Sequence, residues 1–265
     1  MSERDRYPAG VPCWVDTTQP DVDAATAFYS ELFGWELAGP GEMPGDPPGR
    51  YYVARAGDGE VAGVASCPPG QAGAAWNTYV SVEDVDAAVR HATAAGATVV
   101  AEPFDAPPAG RAAVLTDPVG ATFCLWQPAA RQGAERVNEP GAWAMSMLVC
   151  TDPERAAAFY GETFGWTTEA FGPATLLRLP GYEGGEPGQP VSREVIAVLA
   201  PPAAGPPHWS VNFWVDDADA SAARAAELGG ATVGASDEPM RTVALTDPQG
   251  APFSVTTAPS APVSL

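Results

Sequence analysis

Apolar and polar residues alternate along this chain in two periods, one of about two residues and one of about three and a half. Val11 to Thr18 reads as a strand. Asp21 then caps a helix in which Ala25, Phe28, Tyr29 and Leu32 follow the i, i+3, i+4, i+7 rule, and Gly34 ends it. Tyr51–Ala56 and Val61–Ser66 read as strands flanking Gly57-Asp58-Gly59, which suits a tight hairpin. The order then restarts with a strand at Asn77–Val82, a helix from Asp84 to about Ala95 closed by Gly96, and a strand at Thr98–Ala101. The strands Ala112–Thr116 and Ala121–Trp126 follow, joined by Asp117-Pro118-Val119-Gly120, whose residue types fit a type I turn. Beyond Asn138-Glu139-Pro140-Gly141 the series returns: a strand at Ala144–Cys150, a helix capped by Asp152 with Pro153 at its first position, and a module opening at Ser210. Two Pro/Gly-rich inserts, Gly39–Gly49 and Pro180–Ser192, differ between the halves and read as surface loops or lids.

The returning order is a tandem duplication. Phe28–Leu37 (FYSELFGWEL) recurs 131 residues later as Phe159–Thr168 (FYGETFGWTT), and Leu115–Phe123 (LTDPVGATF) recurs as Leu245–Phe253 (LTDPQGAPF) with seven of nine positions identical. Trp76 matches Trp209, and Gly96-Ala97-Thr98-Val99 matches Gly230-Ala231-Thr232-Val233. This period is far longer than the roughly 20 to 50 residues of a solenoid repeat, so each copy is a whole domain. We place the domains at 10–130 and 142–260, with 131–141 as a linker.

Composition narrows the partners. Thirteen basic against 33 acidic residues leave a net charge of −20, the wrong sign for nucleic acid or an anionic membrane surface. No run approaches the roughly 20 apolar residues of a membrane span, so a cytoplasmic protein is expected. The four cysteines, Cys13, Cys67, Cys124 and Cys150, lack metal-like or redox-like pairing and read as buried thiols.

The strand, the D(x)6FY(x)4FGW helix and the DPxG(x)2F turn, each present twice, resemble the vicinal-oxygen-chelate superfamily of glyoxalase I, extradiol dioxygenases and bleomycin-resistance proteins. The resemblance implies an α+β fold of two tandem glyoxalase-like domains. Each would contain two βαβββ modules forming a curved sheet around a cavity. It also implies four metal-ligand positions per domain, which fall on Trp14, Gly63, Asn77 and Cys124 in the first and on Met145, Ala197, Ser210 and Ser254 in the second. None is His, Asp or Glu, and the chain holds only two histidines, so neither a metal nor any other cofactor is expected.

Strand alternation leaves Trp14, Asp16, Asn77, Tyr79, Cys124 and Trp126 to line the first cavity. Met145, Met147, Ser210, Asn212, Trp214 and Ser254 would line the second, with His208 near its mouth and Tyr182 on a loop that offers a cover. Aromatic and methionine walls with a few amides and hydroxyls suit a flat organic ligand, although the same side chains also serve to fill a core. Asp16 and His208 are the candidates for acid–base chemistry. A salt bridge from Asp16 to Arg111 is the structural alternative, and His91 reads as a solvated helix residue. Arg111 and its repeat mate Arg241 read as ties between elements.

Three functional readings remain open. The first is a metal-independent binding protein for an aromatic or polycyclic metabolite or drug. The second is a tailoring enzyme of the same superfamily, a hydroxylase, lyase or dioxygenase-like activity. The third is a scaffold acting through protein contacts. Because a duplicated chain supplies its own domain pairing, a monomer is expected. Light scattering should return a mass near 27.3 kDa, and a stable dimer at micromolar concentration would show that the tandem does not replace a dimer interface.

Overall fold

The computed structural model describes residues 2–43, 48–68, 70–71, 73–184, 192–201, 205–238 and 240–259. After a short strand β1 (Ser2–Glu3), the first domain runs β2 (Pro12–Gln19), α1 (Val22–Phe33), β3 (Glu36–Met43), β4 (Gly49–Ala56) and β5 (Gly59–Ser66). Its second module runs β6 (Ala75–Ser81), α2 (Val85–Ala94), β7 (Thr98–Ala106), β8 (Gly110–Thr116) and β9 (Thr122–Pro128). A connecting strand β10 (Arg136–Val137) precedes β11 (Trp143–Val149), α3 (Pro153–Phe164), β12 (Thr167–Phe171), β13 (Ala174–Arg178) and β14 (Val195–Leu199). The chain closes with β15 (His208–Val215), α4 (Ala218–Glu227), β16 (Ala231–Ser236), β17 (Thr242–Thr246) and β18 (Pro252–Thr257). This is the α+β, twice βαβββ arrangement expected in each domain. No helix among the described residues is long and apolar enough to cross a membrane.

Each domain forms one eight-stranded sheet, in the orders β3-β4-β5-β2-β6-β9-β8-β7 and β12-β13-β14-β11-β15-β18-β17-β16. The two modules of one domain therefore meet edge to edge through antiparallel β2 and β6, or β11 and β15, and no strand is exchanged between domains. On β2 the alternation is strict. Cys13, Val15, Thr17 and Gln19 are buried on the face that meets the helices and the other domain, which leaves Trp14, Asp16 and Thr18 on the opposite face.

The repeated motifs build the contact between the domains. Asp21 and Asp152 accept backbone N–H groups at the starts of α1 and α3, and Gly34 and Gly165 close these helices in the left-handed conformation at φ 71° and 74°. That ending lets the chain turn so that Trp35 and Trp166 fold back. Their indole N–H groups donate to the Gly141 and Gly10 carbonyls at 2.7 Å. The tyrosine of each FY pair is wholly buried and reaches the other domain. Tyr29 Oη donates to Asp247 Oδ2 at 2.9 Å, and Tyr160 Oη donates to Asp117 Oδ2 at 2.8 Å. Each hydroxyl in turn accepts an indole N–H, from Trp76 at 3.1 Å and from Trp209 at 2.9 Å. The other oxygen of each aspartate accepts backbone N–H groups within its own DPxG turn. The turn motif is thus structural, as expected, and also an interdomain anchor.

Some readings of the sequence are corrected. The stretch opening the Gly39–Gly49 insert belongs to β3, and Thr167–Phe171 is a strand as well. Both are outer strands with mostly exposed residues, so they carry no apolar alternation to read. Of the inserts, 44–47 and 185–191 lie outside the described residues. The segment taken as a linker contains β10, which pairs with β1, and its Ala134 N–H donates to the Cys13 carbonyl. Tyr182 packs against the core near Tyr7, Cys13 and Arg4.

The interdomain pairs predict a stability effect. Tyr29→Phe leaves the Trp76 indole and one Asp247 lone pair without their partner, and should lower unfolding free energy by about 1–3 kcal/mol. Tyr160→Phe should cost a similar amount, read by equilibrium urea denaturation. A neutral result for both would mean that the aromatic packing alone holds the domains.

Candidate functional site

The open face of the first sheet holds a cavity of about 1950 Å³. Trp14, Asp16, Asn77, Tyr79, Cys124 and Trp126 all line it. Register explains the grouping: Asp16 lies beside Gly63 on β5 and opposite Asn77 on β6, Trp14 lies opposite Tyr79, and Tyr79 lies beside Cys124 on β9.

Asp16 is the centre of this group, with 2% of its surface exposed. Its Oδ1 accepts from Asn77 Nδ2 at 2.9 Å, and its Oδ2 accepts from Tyr79 Oη at 2.8 Å and Tyr51 Oη at 3.2 Å. Tyr51 Oη also accepts the Trp14 indole N–H at 2.8 Å, so a chain of donors runs from Trp14 through Tyr51 to the carboxylate. Burial raises the Asp16 pKa above the ordinary 3.8, partly offset by the Asn77, Tyr79 and Tyr51 hydrogen bonds. Burial likewise pushes the Tyr51 and Tyr79 phenols and the Cys124 thiol well above their usual values, with the nearby carboxylate adding to each. The thiol is thus held neutral and is a poor nucleophile.

Tyr51 went unrecognised as a site residue in the sequence, although it sits on a strand that was read correctly. Its phenol reaches Asp16 by crossing Gly63, where any Cβ would collide with the Tyr51 hydroxyl. On the far side, Gly110 lets the Trp126 ring lie against the backbone, since a Cβ there would stand 2.7 Å from Trp126 Cζ2. The connecting segment supplies a wall. Trp126 Nε1 donates to the Arg131 carbonyl at 3.0 Å, and the Arg131 guanidinium stacks 5.2 Å from the centre of the Trp14 ring. Arg131 pairs with Glu60 at 2.7 Å.

The salt bridge weighed between Asp16 and Arg111 does not form. Arg111 pairs with Asp86 of α2 at 2.6 Å and Asp105 of β7 at 2.8 Å, and Arg241 pairs with Asp219 of α4 and Asp237. Both arginines therefore tie a helix start to an outer region of the sheet, and neither lines the cavity.

The second sheet carries a different surface on the same frame. Met147 takes the place of Asp16, opposite Ser210, and Met145 that of Trp14, opposite Asn212. Asn212 Nδ2 donates to Ser254 Oγ and Thr256 Oγ1, both at 2.8 Å, so both of its N–H donors are spent within the sheet. Ser210, Asn212, Trp214 and Ser254 are buried, Met145 and Met147 are half-buried, and none of them lines the first cavity. His208 stands at the start of β15 with its Nδ1 at 3.0 Å from the Pro206 carbonyl. His91 is exposed, and its Nε2 lies 3.0 Å from the Glu162 carbonyl. Three cysteines are buried and Cys67 is half-buried, all as free thiols.

A family model described as a glyoxalase-like domain matches residues 14–126 and again 144–256. The chain is 40% identical over 262 residues to "Putative glyoxylase CFP32" of Mycobacterium tuberculosis, covering 96% of this chain and 97% of that one. It is 35% identical over 267 residues to the anthracycline biosynthesis protein DnrV of Streptomyces peucetius, covering 94% of each. Among solved structures, the Mn(II)-bound glyoxalase from Novosphingobium aromaticivorans superposes with a TM-score of 0.64 at 19% identity, over 94% of this chain and 82% of that one. The 2,3-dioxygenase LapB from Pseudomonas sp. KL28 superposes with a TM-score of 0.62 at 13% identity, over 97% and 95%.

The buried carboxylate predicts a pH effect. Because the folded-state pKa of Asp16 is raised, the folded protein takes up this proton before the unfolded chain does as pH falls. The contribution is full below the ordinary carboxylate range and is lost as pH rises through the folded value. Wild type should therefore gain stability relative to Asp16→Asn as pH drops from neutral towards about 4, measured by paired thermal melts. A difference independent of pH would show that the hydrogen bonds cancel the cost of burial.

Proposed function

The chain belongs to the glyoxalase-like domain family, carrying that domain twice in tandem, and we propose that its first domain binds a planar, polycyclic aromatic small molecule. One observation carries the reading: an open-faced cavity of about 1950 Å³ whose lining includes the rings of Trp14, Tyr51, Tyr79 and Trp126 beside Asp16 and Asn77. Such a cavity exceeds the roughly 300–1,000 Å³ of most ligand sites, leaving room for fused rings. Indole and phenol faces favour flat π systems, while Asp16 and Asn77 supply the few polar contacts that fix orientation. The relative named for anthracycline biosynthesis, a fused-ring chemistry, supports the same ligand class.

The residues present do not fit a divalent metal. At the positions where the resemblance implies ligands stand an indole, a glycine, an amide and a buried neutral thiol. The space beside Gly63 is filled by the Tyr51 phenol. The carboxylate of Asp16 is turned to three donors of its own. No group of three or more His, Cys, Asp or Glu side chains placed to hold a metal occurs among the described residues.

A tailoring reaction is the second reading, favoured by Asp16 alone: a carboxylate of raised pKa facing a ligand cavity is placed to act as a general base. In either case the second domain serves as the brace that completes the fold.

Titration calorimetry with a dihydroxyanthraquinone tests the binding. Trp14→Ala should weaken it by roughly threefold to tenfold, and Trp214→Ala should leave it unchanged. A chelator should alter neither affinity nor melting temperature. If no polycyclic probe stabilises the protein, or if Trp14→Ala has no effect, the scaffold reading replaces this one.

A further inference from the structure

The floor of the first cavity presents acceptors without a cation. A carboxylate has about four lone-pair sites. Asn77, Tyr51 and Tyr79 occupy three of those on Asp16, all three partners are neutral, and the vacant site is on Oδ1. The Asn77 carbonyl beside it accepts no side-chain or backbone hydrogen bond among the described residues. The other groups around Asp16 add no positive charge. Cys124 is a neutral thiol, the Trp14 indole is spent on Tyr51, and Arg131 is paired with Glu60. The cavity lining holds seven further carboxylates against three arginines, with Arg55 and Arg111 pairing two of those carboxylates from outside it, in a protein of net charge −20, so the field favours cations over anions.

We propose that the first cavity selects ligands bearing a protonated amine, with Asp16 as the counter-ion and the Asn77 carbonyl as a second acceptor. The proposal rests on the aromatic-ligand reading above and adds the functional group that the site selects. An ammonium entering here supplies the charge that the buried carboxylate lacks and fills the vacant acceptors. Trp14 already carries the Arg131 guanidinium on its ring, and the rings of Tyr51, Tyr79 and Trp126, which line the same space, are left to face a cation. A neutral hydroxyl supplies only a hydrogen bond. The second sheet, with Met147 at the equivalent register, has no such counter-ion.

Two fluorescent probes of nearly equal shape test this: aminomethylanthracene, which is protonated at neutral pH, and hydroxymethylanthracene, which is not. In wild type the amine should bind about tenfold or more tightly than the alcohol. Asp16→Asn should abolish that preference by lowering the affinity for the amine about tenfold more than that for the alcohol. Tyr79→Phe removes one donor but keeps the charge, and should retain the preference. In wild type the preference should shrink as pH falls and Asp16 takes up a proton. Equal binding of amine and alcohol to wild type overturns the inference and leaves the aromatic cavity standing. Binding of neither probe overturns both. The wild-type comparison needs no variant, so it decides the matter even if Asp16→Asn does not fold.

Discussion

The architecture depends on a reciprocal contact, the tyrosine of each FY pair reaching the aspartate of the other domain's DPxG turn. Tyr29 to Asp247 and Tyr160 to Asp117 are buried hydrogen bonds between a phenol and a carboxylate, and each carboxylate also organises its own turn. Leaving any of these groups unpaired in the interior would cost more than the bond itself contributes. The two domains are therefore committed to one relative placement, in which β6 packs on β15 while α1 meets α4 and α2 meets α3. Around the hydrogen bonds the rings of Phe28, Phe33, Trp35, Trp76, Phe213 and Phe253 pack edge-to-face or tilted. On the other side Phe164 and Trp166 stack on Tyr160, and Phe123, Phe159 and Trp209 meet it edge-to-face.

This constraint separates stability from chemistry. The FY(x)4FGW and DPxG motifs that recur in both copies build the interface, while the open faces carry different residues. On one face Asp16 gathers two phenols and an amide. On the other the equivalent position is Met147, and Asn212 turns to the hydroxyls of Ser254 and Thr256. The same strands and the same register thus hold a buried charge in one domain and none in the other. Superposition on glyoxalases and dioxygenases at 13–19% identity describes the shared frame and leaves each face to its own chemistry.

Electrostatics divides along the same line. The outer arginines are matched locally, Arg111 to Asp86 and Asp105, Arg241 to Asp219 and Asp237, and such exposed pairs contribute little to stability. Asp16 differs from the buried turn aspartates Asp117 and Asp247 in lying on an open face, and in the interior a carboxylate without a cation is expensive. Its three donors lessen that cost without removing it.

The sequence by itself determined the duplication, the order of elements, the helix caps and the set of side chains pointing to one face of β2 and β6. All of these follow from local rules: chain period, cap chemistry, turn residues and alternation. Outer strands β3 and β12 escaped it because exposed strands have no apolar period. Only the tertiary structure decided that the two modules of one domain share a sheet, that the DPxG aspartates are interdomain acceptors, and that Arg111 turns away from Asp16. Tyr51, Gly63 and Arg131 joined the cavity for the same reason. Their roles depend on which strands become neighbours and on what a missing Cβ leaves room for, and these relations arise between residues far apart in the chain.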